Sequence, residues 1–128
     1  MSGVIDALTA HPSVDVVRKA SIDDFLARNP RALVFFIGER SEGLDVAVVV
    51  RELASSYAGR LRVGVVDQRD EAALMTRFGV VVMPAVVYMR EGQPAELVAR
   101  MRDWPVFAQA ADRLLDAETA ATITGGNA

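Results

Sequence analysis

Residues 38–45 read GERSEGLD, a polar stretch holding the acids Glu39, Glu42 and Asp45 and the single base Arg40. Apolar ALVFFI precedes it and VAVVV follows it, so it is a short loop between two buried segments. Loops at the end of a core strand and the start of a helix are where folds often carry their chemistry. Two readings of the three carboxylates stand. They complement the dipole of a helix start, worth ~0.3–1 kcal/mol each, or they form an acidic rim that attracts a cationic partner through charge-assisted bonds. The dipole accounts poorly for Glu39, which the pattern places on the strand end. Ser41 offers a hydroxyl, but the only imidazole is His11 in a remote segment, so a nucleophile here lacks an activating base. His11 itself, alone before Pro12, reads as a surface or capping residue rather than a metal ligand.

The chain has no cysteine, which excludes disulfides, thiolate nucleophiles, Cys-ligated zinc and iron–sulfur clusters. Its formal net charge is −3 and its basic residues, nearly all Arg, are scattered, which argues against nucleic acid as a partner. With 128 residues, 52% hydrophobic and 24% charged, it reads as one globular domain. The first residues, MSGVIDALTAHPSVDVV, lack the basic start and long apolar run of a signal peptide. The longest apolar stretch, residues 80–89, is short and carries Pro84, so no membrane insertion is expected.

The elements that must position the loop follow from periodicity. Residues 1–13 form an N-terminal extension with a short helix ended by His11-Pro12. VDVV at 14–17 reads as a short edge strand. Ser21-Ile22-Asp23-Asp24 looks like a capping-box start, with Phe25 and Leu26 turned inward and Asn29-Pro30 as the stop. Residues 32–37 form a strand covered on both faces. Val46, Val49, Val50, Leu53 and Tyr57 keep a 3.6-residue period, and Gly59 sits where a helix closes, so 45–58 is a helix. A strand at 61–66, a helix at 71–78 closed by Gly79, a strand at 85–90, a turn at 91–94 and a strand at 95–101 come next. The last helix has an inward stripe of Trp104, Phe107, Ala111, Leu114 and Leu115, with Trp104 as a large core anchor. Residues 117–128 read as a flexible tail. The domain, 1–116, therefore has β-α-β-α-β-α-β-β-α order, an α/β fold with a central mixed sheet flanked by helices.

This order resembles the thioredoxin fold. The matching stretches are the core strand LVFF, the loop, a helix ending ELA, the strand LRVGVVD, a helix ending RFGV and the hairpin MPAVVYMREG. In thioredoxins the RFGV-like segment leads to a cis-proline, so the resemblance implies a structural cis-proline at Pro84, within Val82-Met83-Pro84-Ala85. The backbone of Met83 would then be open to an extended peptide, and its side chain is a soft apolar surface. The redox motif Cys-x-x-Cys would fall on Arg40-Ser41-Glu42-Gly43, and without a thiolate there is no thiol–disulfide exchange.

A narrower resemblance lies in GER..E..DVAVV..EL, VGVVDQRDEAALMTRFGV, Pro84-Ala85 and Asp103-Trp104. These are similar to the HyaE/HupG-type accessory proteins of nickel–iron hydrogenase expression, thioredoxin-like proteins that lack the redox cysteines. The resemblance implies a non-catalytic cytoplasmic chaperone, without cofactor or metal. Its partner would be the hydrogenase small subunit precursor, bound through its twin-arginine signal peptide, with other maturation proteins joining. The candidate peptide-binding residues are Glu39, Arg40, Glu42, Asp45, Met83, Pro84 and Ala85. Two alternatives stay open: a structural docking subunit of a larger maturation complex, or a redox-inactive adaptor for another partner.

Overall fold

A computed structural model describes residues 2–127, with the side chains of residues 3–116. The chain runs α1 (Ser2–Thr9), β1 (Val14–Val17), α2 (Ile22–Arg28), β2 (Arg31–Phe36), α3 (Glu42–Ser56), β3 (Arg62–Val66), a 3-10 turn (Gln68–Asp70), α4 (Glu71–Phe78), β4 (Ala85–Arg90), β5 (Gln93–Ala99) and α5 (Trp104–Asn127). The five strands form one sheet in the order β1-β3-β2-β4-β5. β3 pairs in parallel with β1 and β2, and β4 pairs antiparallel with β2 and β5. The parallel half, the hairpin and the closing helix are those that the periodicity predicts. The expected flexible tail, 117–128, falls where side chains are not described, and α5 carries the backbone on to Asn127.

Alternation along the strands divides the buried side chains into two cores. Leu33, Phe35, Ile37, Val86 and Tyr88 point to the face covered by α1, α3 and α5. Ala32, Val34, Phe36, Val87 and Met89 point to the face covered by α2 and α4. Both faces are filled, which is why β2 and β4 read as unbroken apolar runs rather than alternating ones. His11 ties the end of α1 to α3, with Nε2 3.0 Å from Ser55 Oγ and Nδ1 accepting the Ser13 N–H at 3.1 Å.

Several local expectations need correcting. Ser21 does precede α2, but its side chain does not cap the helix; it accepts the Arg18 N–H at 2.9 Å instead. α3 begins at Glu42, three residues before the expected start at 45, because a largely polar first turn carries little hydrophobic signal. The hairpin turn is two residues, Glu91-Gly92, with φ of 51° and 78°, the positive pair that a tight turn matched to strand twist requires. β5 therefore starts at Gln93 and takes in Pro94, tolerated because β5 is an edge strand with an irregularity opposite Tyr88 and Met89. Trp104 is not a core anchor. It stands in the first turn of α5 and stays 39% exposed, while the buried stripe is Phe107, Ala110, Ala111, Leu114 and Leu115.

Candidate functional site

The loop is held from both sides. At its exit, Gly43 lies in the first turn of α3, where an added Cβ would come within 2.3 Å of the Ile37 carbonyl oxygen, so only glycine lets the helix start this close to the end of β2. At its entrance, Gly38 is clamped by two residues that the sequence reading does not single out. Its N–H donates to Glu71 Oε2 at 3.0 Å, and its carbonyl accepts from Gln68 Nε2 at 2.9 Å. Glu71 is only 5% exposed, the one buried carboxylate among the described residues. Burial pushes its carboxyl above the ordinary glutamate value, partly offset by the N–H groups of Gly38 and Ile37; nearby Glu39 and Asp67 add to the upward shift. In sequence Glu71 looks like an ordinary first-turn acid, and only the fold of the preceding loop shows that it faces inward.

The seven candidate residues do not form one surface. Glu39 and Arg40 are exposed and share an open groove with Met83. Glu42 faces the other way. Its carboxylate accepts Arg100 Nε at 2.9 and 3.0 Å, pairs with Arg100 Nη2 at 2.8 Å, and accepts the Met101 N–H at 2.7 Å. These donors, Arg100 first, hold its carboxyl below the ordinary value. Glu42 thus ties the start of α3 to the segment after β5, and its lone pairs are largely committed. Asp45 is exposed on α3 but does not line the groove. The Met83–Pro84 bond is cis. Pro84 is buried and its carbonyl accepts the Arg100 N–H at 2.7 Å; Ala85 lies fully covered in β4, opposite Phe36 and Ala99. Neither presents a side chain to a ligand.

The groove measures about 540 Å³. Glu39, Arg40, Gln68 and Glu71 supply its polar side, and Ala72, Met75, Val81, Val82 and Met83 its apolar wall, where Val81 is 85% exposed. Charged and polar groups thus stand directly beside an exposed apolar wall. The groove has no nucleophile–base pair: Ser41 is exposed, and the imidazole of His11 is bonded at the opposite end of α3, about 20 Å along the helix. Among the described residues no three His, Cys, Asp or Glu side chains gather where they could hold a metal ion. No helix of these residues is long and apolar enough to cross a membrane.

Comparison with known proteins agrees with this architecture. A mutant thioredoxin from Halobacterium salinarum superposes with a TM-score of 0.71 at 20% identity, covering 82% of this chain and 93% of that one. The fold is thioredoxin-like. The hydrogenase expression/formation protein HupG of Rhizobium leguminosarum is 36% identical over 98% of this chain and 89% of its own length. HupG of Bradyrhizobium diazoefficiens is 35% identical over 85% and 78%, and HoxO of Cupriavidus necator, also a hydrogenase expression/formation protein, is 33% identical over 88% and 73%. The family model described as Hydrogenase-1 expression protein HyaE matches residues 4–107. With that match over most of its length, and with the redox pair of the thioredoxin fold absent from its loop, the chain belongs to the HyaE family of hydrogenase expression proteins.

Proposed function

We propose that this chain is a non-catalytic accessory protein of nickel–iron hydrogenase maturation. It works in the cytoplasm and holds the twin-arginine signal peptide of the small subunit precursor in the groove beside the loop. The observation that carries this reading is the make-up of the groove, with the exposed carboxylate of Glu39 next to the apolar wall of Met75, Val81, Val82 and Met83. A twin-arginine peptide offers the complement, two guanidinium groups followed by an apolar stretch. Glu39, rather than the committed Glu42, takes the first guanidinium, and Met83 meets the apolar part.

Calorimetric titration with a twin-arginine peptide tests it, beside a peptide with both arginines replaced by glutamine. An exposed charge-assisted contact contributes about 1 kcal/mol, so Glu39→Gln should weaken binding about fivefold. Rising salt should weaken the wild type more than the variant. Absence of binding, or equal affinity for both peptides, would overturn the reading.

A further inference from the structure

On α3 the face turned from the sheet carries Leu44 and Val48, 39% and 71% exposed. With Gly3, Val4, Ala7, Ala47 and Arg51 they border an apolar groove of about 340 Å³ between α1 and α3. Two charges flank Val48, Asp45 three residues before it and Arg51 three residues after. Neither side chain makes a hydrogen bond or ion pair with the described residues. Three helical residues rise about 4.5 Å and turn about 300°, so the two charges lie on opposite flanks of the apolar stripe, about 9 Å apart along the axis with Val48 midway.

That arrangement is complementary to itself. Take a two-fold axis in the contact plane, at right angles to the line from Asp45 to Arg51. It sets the Asp45 of each copy over the Arg51 of the other and brings the two Val48 side chains together at the centre. We propose that this face of α3 is a homodimer contact, in which the Val48 side chains of the two copies pack against each other between two Asp45–Arg51 ion pairs. Gly3 and Ala7, beside this face on α1, add little bulk to hold the crossed helices apart. An unrelated apolar helix would need no such symmetric charges, which singles out a second copy as the occupant. Stable complexes bury roughly 1,200–2,000 Å², and a single steeply crossed helix pair buries less, so the dimer is weak, rapidly exchanging and salt-sensitive.

Sedimentation velocity of the full chain, from tens of micromolar to about 1 mM, tests this. The sedimentation coefficient should rise with concentration, and less so in high salt. Asp45→Arg and Arg51→Asp each set like charges face to face and should weaken association at least about tenfold. The double variant Asp45→Arg/Arg51→Asp exchanges the charges and should restore it to within about threefold, a recovery that misfolding could not produce. A wild type that stays monomeric throughout, or a double variant as weak as either single one, would overturn the proposal.

Discussion

Glu42 and Glu71 are acids on opposite sides of the same loop, and their surroundings drive them in opposite directions. Glu42, gripped by Arg100 and the Met101 N–H, has its carboxyl held below the ordinary 4.5. Its contribution to stability is present above that value and fades as pH falls. Glu71 is pushed up by burial, with Glu39 and Asp67 as neighbouring acids, so its contribution is present below 4.5 and is lost as pH rises through its folded value. Urea midpoints of Glu42→Gln and Glu71→Gln against pH should show this. The first variant should differ most from wild type near neutrality and converge with it in acid. The second should lose wild type's decline on the alkaline side of 4.5; parallel profiles for all three proteins would refute the assignment. The sequence exposes part of this site and hides part. Missing cysteines excluded thiol chemistry outright. The pairing of Glu42 with Arg100 spans 58 residues and depends on where β5 ends, which no local pattern encodes. Glu71 was hidden for another reason, since a first-turn acid normally points to solvent and answers the helix dipole.

Among the elements, periodicity located every helix and strand of the sheet, and the errors fall where periodicity is silent. The first turn of α3 is largely polar, and the Glu91-Gly92 turn is set by backbone conformation rather than by hydrophobic pattern. Trp104 keeps the phase of the buried stripe of α5 but stands at its exposed beginning, and phase alone does not tell where a core stops. Besides its buried stripe, α5 is tied to the rest by the hydroxyls of two tyrosines. Tyr88 donates its hydroxyl to the Phe107 carbonyl at 2.9 Å, and the Tyr57 hydroxyl lies 2.6 Å from Asp112 Oδ1 and 3.1 Å from the Ala108 carbonyl. Burial raises both phenols, followed for Tyr57 by Asp112, which brings Tyr57 to about 12. Stability from these hydroxyls is fully present below pH 10 and is lost as pH climbs through the folded values. A tyrosinate absorbance titration should therefore show almost no ionisation at pH 10 in the folded protein, then a rise together with loss of structure. Phenolate appearing near pH 10 in still-folded protein would refute the docking role. Tyr88→Phe should cost about 0.5–1.5 kcal/mol in urea unfolding.

For the molecule as a whole, the question is whether two cores on opposite faces of one sheet behave as one unit. They share no helix, yet every central strand sends alternate side chains into each, so Phe35 and Tyr88 belong to one core while their chain neighbours Phe36 and Met89 belong to the other. Losing either core would leave β2 and β4 with one apolar face in water, a cost that binds the two together. Phe107→Leu opens the α5 side. Phe78→Leu opens the α4 side, where Phe78 packs edge-on against Phe36 with ring centroids 6.5 Å apart. Each should lower stability by about 1–2 kcal/mol and leave the denaturant slope unchanged. Fluorescence of Trp104, the only tryptophan, reports the α5 side, whereas far-UV circular dichroism reports both faces. In each variant the two signals should trace one coincident transition. Separation of the curves in either variant would show that the faces unfold independently. The loop would then rest on two separable supports, with Glu71 holding it from the α4 side and Glu42 tying it to the segment that leads into α5.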